Sequence, residues 1–198
     1  MLAETFGVVA NVRIRNQATV GGCVCDADYA SDPPSMLVAL GARARLQSAG
    51  GQREIAVQDF ITGHYETAIR PGELLTAISV PPLPDGARGV YLKYRTRSHE
   101  DRPCVGVAVI LALRDGECLH LRVVVGAVAS RPQRVPDGEK LALGKPISDT
   151  LTRRVADAYA DALDPLDDMR GSAWYRRQMI RVLVRRAILQ ARDRTIMQ

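Results

Sequence analysis

Apolar and polar positions fall into short patterned segments that delimit elements. Val8 to Ile14 alternates loosely, with Arg13 and Arg15 flanking Ile14, and predicts a short strand ending at Asn16. The small-residue run Ala18-Thr19-Val20-Gly21-Gly22-Cys23-Val24-Cys25 predicts a turn leading into an apolar stretch. Asp32 stands before Pro33-Pro34 as a candidate helix cap, and Ser35 to Leu40 reads as a short helix ending at Gly41. Ala42 to Leu46 alternates, Gly50-Gly51 makes a turn, and Glu54 to Val57 resumes the alternation, which predicts a β-hairpin. Asp59-Phe60-Ile61 opens a connection to a further strand from Glu73 to Val80.

Pro81-Pro82-Leu83-Pro84-Asp85-Gly86 is the strongest punctuation in the chain and places a domain boundary between residues 1–82 and 88–198. Beyond it Val90 to Arg95, Val105 to Arg114 and Cys118 to Val128 predict three strands, the last two joined by an Asp115-Gly116 turn. A helix follows with Leu151, Val155, Ala158, Ala162 and Leu163 on one face, then a second from Ala173 to about Ala191 with Gly171-Ser172 as its cap. Strands followed by helices predict an α+β fold with a three-stranded antiparallel sheet.

Composition narrows the classes. With 46% apolar and 25% charged residues in 198, the chain is globular rather than disordered or collagen-like. Only 5% of residues are aromatic, so aliphatic side chains must fill the core and no aromatic stacking surface is expected. The net charge of +5 belongs to residues 166–198, where eight Arg face three Asp; the rest is balanced. That argues against a nucleic-acid binder. Arg177, Arg181 and Arg185 form a basic stripe on the last helix, read as a solvated face before a docking surface for an acidic partner. The longest apolar run, Cys104 to Leu113, is about half of the roughly twenty residues a membrane span needs. With no secretory signal in the N-terminal residues, the protein is expected in the cytoplasm.

Cys23, Cys25, Cys104 and Cys118 form neither a C-x-x-C pair nor an iron-sulfur run, and read as reduced, mostly buried thiols. His64, His99 and His120 are scattered and suggest no metal cluster. No side chain stands out as a general acid, base or nucleophile. Thr19-Val20-Gly21-Gly22-Cys23 carries the most chemistry: two adjacent glycines admit a ligand close to the backbone, and amides with the Thr19 hydroxyl can surround a phosphate. The same run also suits a plain turn. It is neither a G-x-G-x-x-G nor a Walker loop.

The stretch VRIRNQATVGGCVCDADYASDPPSMLVALGARARL, followed by QDFITGHYETAIRPGELLTAISVP, resembles the FAD-binding medium subunit of molybdenum hydroxylases, the group of xanthine dehydrogenase and aerobic carbon monoxide dehydrogenase. Tyr91-Leu92-Lys93-Tyr94, Asp101-Arg102-Pro103, Val105-Gly106-Val107-Ala108 and the helix WYRRQMIRVLVRRAI are similar to that family's C-terminal domain. The resemblance implies the second half of a two-subdomain FAD-binding domain followed by an α+β domain. It also implies an electron-transfer role beside a molybdopterin-binding large subunit and a 2Fe-2S small subunit, the protein holding and tuning the flavin.

By that resemblance Thr19, Val20, Gly21, Gly22 and Cys23 lie at the FAD pyrophosphate, and Asp32 accepts hydrogen bonds from the cofactor's hydroxyls. Leu74 packs against the cofactor and Lys93 faces the flavin. On the residues alone, Asp32 is a helix cap, Leu74 a core leucine and Lys93 a solvated lysine at a strand edge. Cys23 stands where the family usually has Asn or Asp, Asp26 where a histidine is common, and Tyr29 in place of a proline. Family members carry an earlier subdomain with an Ala-Gly-Gly segment, so the chain is expected to be a partial form. One alternative is a remnant that binds no FAD and acts only as a partner-binding or assembly module.

Overall fold

The computed structural model describes residues 1–98 and 100–196, so His99 lies outside the described residues. The N-terminal part runs through α1 (Leu2–Gly7), α2 (Val12–Arg15), α3 (Val20–Asp26), α4 (Asp32–Ala39), β1 (Arg43–Ser48), β2 (Gly51–Ala56), α5 (Val57–Phe60), β3 (Ile61–Gly63), β4 (Glu66–Thr67) and β5 (Leu74–Ser79). The C-terminal part comprises β6 (Arg88–Tyr94), β7 (Val105–Arg114), β8 (Glu117–Gly126), α6 (Pro136–Lys140), α7 (Asp149–Ala162) and α8 (Ala173–Ile196). One antiparallel sheet has the order β2-β1-β5 and another the order β6-β7-β8; β3 and β4 pair separately. The fold is α+β, with the three-stranded antiparallel sheet and helices that the C-terminal sequence predicts.

The first thirty residues depart from the expectation. Val8 to Ile14 forms no strand: the Asn11 side chain accepts the Ile14 amide at 3.1 Å and starts α2. Arg15 then donates to the carbonyls of Val9 at 2.6 Å and Ala10 at 2.9 Å. A local side-chain cap offers this backbone partners that a lone strand would lack. The Gly21-Gly22 run is likewise helical rather than a turn. Thr19 caps α3 by accepting the Gly22 amide at 3.0 Å, and Ala27 ends it in the left-handed region at φ 50°. Asp32 is not a cap. Ser31 holds the capping position of α4, and Asp32, the first helical residue, turns its carboxylate toward β6.

The sheet β6-β7-β8 separates two cores. On β7, Val105, Val107, Val109 and Leu111 pack with Leu151, Val155, Ile180, Val184 and Ile188 of α7 and α8. The intervening Ala108, Ile110 and Ala112 pack instead with Met36, Leu37, Leu46 and Phe60 of the N-terminal part. A strand buried on both faces reads as a continuous apolar run, which is why Cys104 to Leu113 is the longest in the chain. The buried face of α7 carries Leu151, Thr152, Val155, Ala156, Tyr159 and Ala160. Ala162 of the predicted face is exposed, because the apolar stripe includes Tyr159. Tyr159 donates toward the Val123 carbonyl at 2.8 Å and lies 3.1 Å from Glu139, whose carboxylate accepts the Val123 amide at 3.0 Å.

A polar knot joins the two parts. Arg176 of α8 is fully buried and donates to the carbonyls of Cys104 at 3.0 Å, Gly171 at 3.3 Å and Ala127, and to the Asp168 carboxylate. Asp168 accepts the Tyr29 hydroxyl at 2.5 Å, and Arg170 donates to the same hydroxyl at 2.9 Å. The basic stripe of α8 lies at the surface, as expected of a solvated face, with its charges paired to acidic side chains of this chain. Arg181 pairs with Asp157 at 3.2 Å and Asp161 at 2.7 Å, Arg185 with Asp149 at 2.5 Å and Arg177 with Asp164 at 3.5 Å. These bridges lace α8 to α7 and the turn that follows it.

Candidate functional site

Three cavities that share lining residues run along the N-terminal part, the third walled also by Lys93, Arg102 and Arg170 of the C-terminal part. A groove of about 380 Å³ lies between α1, α3, α4 and the β5 strand, with Leu2, Phe6, Val20, Gly21, Leu37 and Leu75 among its walls. Phe6 and Val20 also line a recess of about 120 Å³ with Thr19, Cys23, Pro33 and Arg15. Val9 lines both that recess and a cavity of about 430 Å³ whose walls include Asp32 and Lys93. Six of the eight residues singled out from the sequence therefore line these three neighbouring cavities.

The first turn of α3 leaves the Val20 and Gly21 amides without an intrahelical carbonyl. At Gly21 the space a side chain would fill is open apart from a Leu75 methyl, which a Cβ would meet at 3.8 Å. At Gly22 a Cβ would come within 2.9 Å of Thr19 Oγ1, so glycine keeps the cap intact. Gly22 and Leu74 line none of the three cavities. Leu74 begins β5 beside Leu75 and is 70% exposed, the opposite of a core leucine.

At the far end Lys93 is buried rather than solvated. Its ammonium donates to Asp32 at 2.7 Å and to the Val8 carbonyl at 2.9 Å, with 3% and 5% of the two side chains exposed. Tyr91 donates its hydroxyl to the other Asp32 oxygen at 2.7 Å. Burial pushes the Asp32 carboxyl up, while the charge and bond of Lys93 and the bond from Tyr91 favour its ionised form. Burial and the neighbouring Asp32 push the Tyr91 hydroxyl well above its ordinary value and keep it a donor. Burial first, then Asp26 and Asp32, raise the Cys23 thiol, which leaves a neutral, weak partner in the recess.

Arg15 and Tyr91 belong to this site and were not singled out from the sequence. Tyr91 had a readable signal: it stands two residues before Lys93 in a strand and so shares its face. Two of the departures lie away from the cavities. Asp26 is exposed at the end of α3, and Tyr29 points into the Asp168 knot. Among the described residues no group of histidine, cysteine or acidic side chains could hold a metal ion. Among them, too, no helix is long and apolar enough to cross a membrane.

A glycine-opened backbone, an apolar groove and a buried charged pair thus line neighbouring cavities. Residues 1–83 match the family model of the FAD binding domain in molybdopterin dehydrogenase, and residues 90–191 that of the CO dehydrogenase flavoprotein C-terminal domain. The chain belongs to this family of FAD-binding medium chains, whose cofactor is FAD. It is 37% identical to the glyceraldehyde dehydrogenase medium chain of Sulfolobus acidocaldarius over 90% of its own length and 63% of the relative's. Against the carbon monoxide dehydrogenase medium chain of Afipia carboxidovorans the identity is 34%, over 98% of this chain and 67% of that one. The carbon monoxide dehydrogenase structure from Hydrogenophaga pseudoflava superposes with a TM-score of 0.93 at 30% identity, covering 98% of this chain and 67% of that one. The chain thus spans about two thirds of the length of the relatives it matches.

The site fits FAD on its own geometry. The room at Gly21 suits a diphosphate lying against the backbone. The groove offers apolar walls to flat rings, and the Asp32–Lys93 pair supplies charge at the far end.

Proposed function

We propose that this chain is the cofactor-holding part of an electron-transfer medium subunit, working in the cytoplasm with a molybdopterin-binding large subunit and a 2Fe-2S small subunit. Residues 1–82 serve as the cofactor half and 88–198 as the C-terminal domain. FAD, when bound, supplies redox chemistry that links one-electron iron-sulfur donors to an acceptor. The chain's own residues bind and orient. Thr19, Val20, Gly21 and Gly22 present backbone to the diphosphate, and Cys23 contributes a weak thiol contact. Leu74 covers apolar cofactor surface, Lys93 sets a positive charge near the ring, and Asp32 keeps lone pairs for cofactor hydroxyls beyond the two bonds it already accepts.

The observation that carries this reading is the set of neighbouring cavities, each sharing a wall with the next, lined by Gly21, by Cys23 and by Asp32 with Lys93. Relatives bearing the names glyceraldehyde dehydrogenase and carbon monoxide dehydrogenase medium chain support a shared electron-transfer part beneath different substrates. Substrate choice then belongs to the large subunit. The test is to incubate the full chain with FAD, pass it through gel filtration and record the visible spectrum. Flavin bands co-eluting with folded protein are expected. Folded, colourless protein at saturating FAD would overturn the reading and favour an assembly module.

A further inference from the structure

The Lys93 ammonium is committed to two acceptors, and one of them, Asp32, is itself held from a second direction. Tyr91 and Lys93 are alternate residues of β6 and point to the same face. The two Asp32 oxygens are divided between them, Oδ1 to Tyr91 and Oδ2 to Lys93. Room for the tyrosine hydroxyl comes from Gly106, which pairs with Lys93 across the sheet. A Cβ there would stand 2.5 Å from Tyr91 Oη. A buried carboxylate with one donor can rotate about its side-chain torsions; with two donors on separate oxygens it is fixed in plane and in charge.

We propose that Tyr91 is a positioning residue of the cofactor site, acting through Asp32 to hold Lys93 in place and leave its charge directed at the cavity rather than swung onto a competing acceptor. This rests on the reading of the cavity series as an FAD site. Tyr91 itself lines none of the three cavities, so its effect on a ligand must pass through the carboxylate. The upward displacement of the Tyr91 hydroxyl's titration agrees with a permanent donor.

The test measures FAD affinity by quenching of flavin fluorescence on the full chain, for the parent, Tyr91→Phe, Lys93→Met and the double variant. Tyr159→Phe is the control, since it removes a buried hydroxyl that bonds Val123 and Glu139 in the other core. Tyr91→Phe keeps the ring and is expected to weaken FAD binding about tenfold, a typical effect for a hydrogen bond to a charged group. Tyr159→Phe is expected to leave affinity unchanged while lowering the melting temperature. In the double variant Tyr91→Phe should cost little beyond Lys93→Met, because both act through one linkage. Additive effects, or a Tyr91→Phe chain that binds FAD as the parent does, would overturn the positioning role alone. A folded parent that binds no FAD would bring down the cofactor reading first, and the role of Tyr91 with it.

Discussion

Asp168 shows how one residue's surroundings set its contribution. Burial alone would raise its carboxyl, but the Tyr29 hydroxyl, the Arg170 amide and Arg176 outweigh burial and hold it at about 2, against an ordinary 3.8. A carboxylate depressed in the folded state contributes stability that is fully present above its unfolded value and is lost as pH falls through the folded one. Urea unfolding between about pH 5 and pH 2 should therefore show a loss of stability in the parent. Asp168→Asn should be less stable at neutral pH and show a shallower decline over that window. Equal slopes in the two proteins would assign the acid limb to other carboxylates. Tyr29 adds a hydroxyl to the joint between the two parts, and it lines none of the three cavities described above.

Helix α4 lies against β8 closely enough that Gly126 has no room for a side chain. A Cβ there would collide with Ser35 Oγ, with Ser35 Cβ 3.3 Å away. The Ser35 hydroxyl is buried and has no hydrogen-bond partner among the described residues. Gly126→Ala is expected to cost about 1–3 kcal/mol, as overpacking does. Ser35→Ala should be neutral or stabilising, since it removes an unsatisfied hydroxyl. The double variant should recover most of the loss, with thermal melts as the measurement; failure to recover would place the clash elsewhere.

At this scale the longer strands and the last two helices were legible, because β1 alternates, β7 is a continuous apolar run and α7 carries helical spacing. The opening helices were not. Four-residue α2 and seven-residue α3 are defined by single side-chain caps at Asn11 and Thr19, which no periodicity announces. Of the candidate site, the backbone segment around Gly21 was marked by its adjacent glycines, whereas the Asp32 and Lys93 positions came from the family resemblance. Their mutual ion pair did not, because it depends on how α4 crosses β6, 61 residues further along.

For the molecule as a whole, Arg176 is the residue on which both parts converge. Replacing it with methionine would leave the Cys104 and Ala127 carbonyls and the Asp168 carboxylate without their buried donor. A loss of about 3–5 kcal/mol is expected, the range for breaking a buried ion pair. Circular dichroism in denaturant should then show a lower midpoint with a single transition. Two separated transitions would mean that the knot alone ties the halves. A single transition is the expected result, since the cores also meet across β6-β7-β8.

That shared sheet constrains how the family can be rearranged by recombination. Successive residues of β7 serve different masters: one set of side chains closes over the C-terminal helices and the other forms the floor beneath the cofactor half. A C-terminal half borrowed from a relative at the proline-rich junction would bring a foreign floor with it, and a one-residue slip in β7 would exchange the two sets outright. The two halves must therefore change in step, and the seam in the covalent chain is not a place where the molecule can be taken apart.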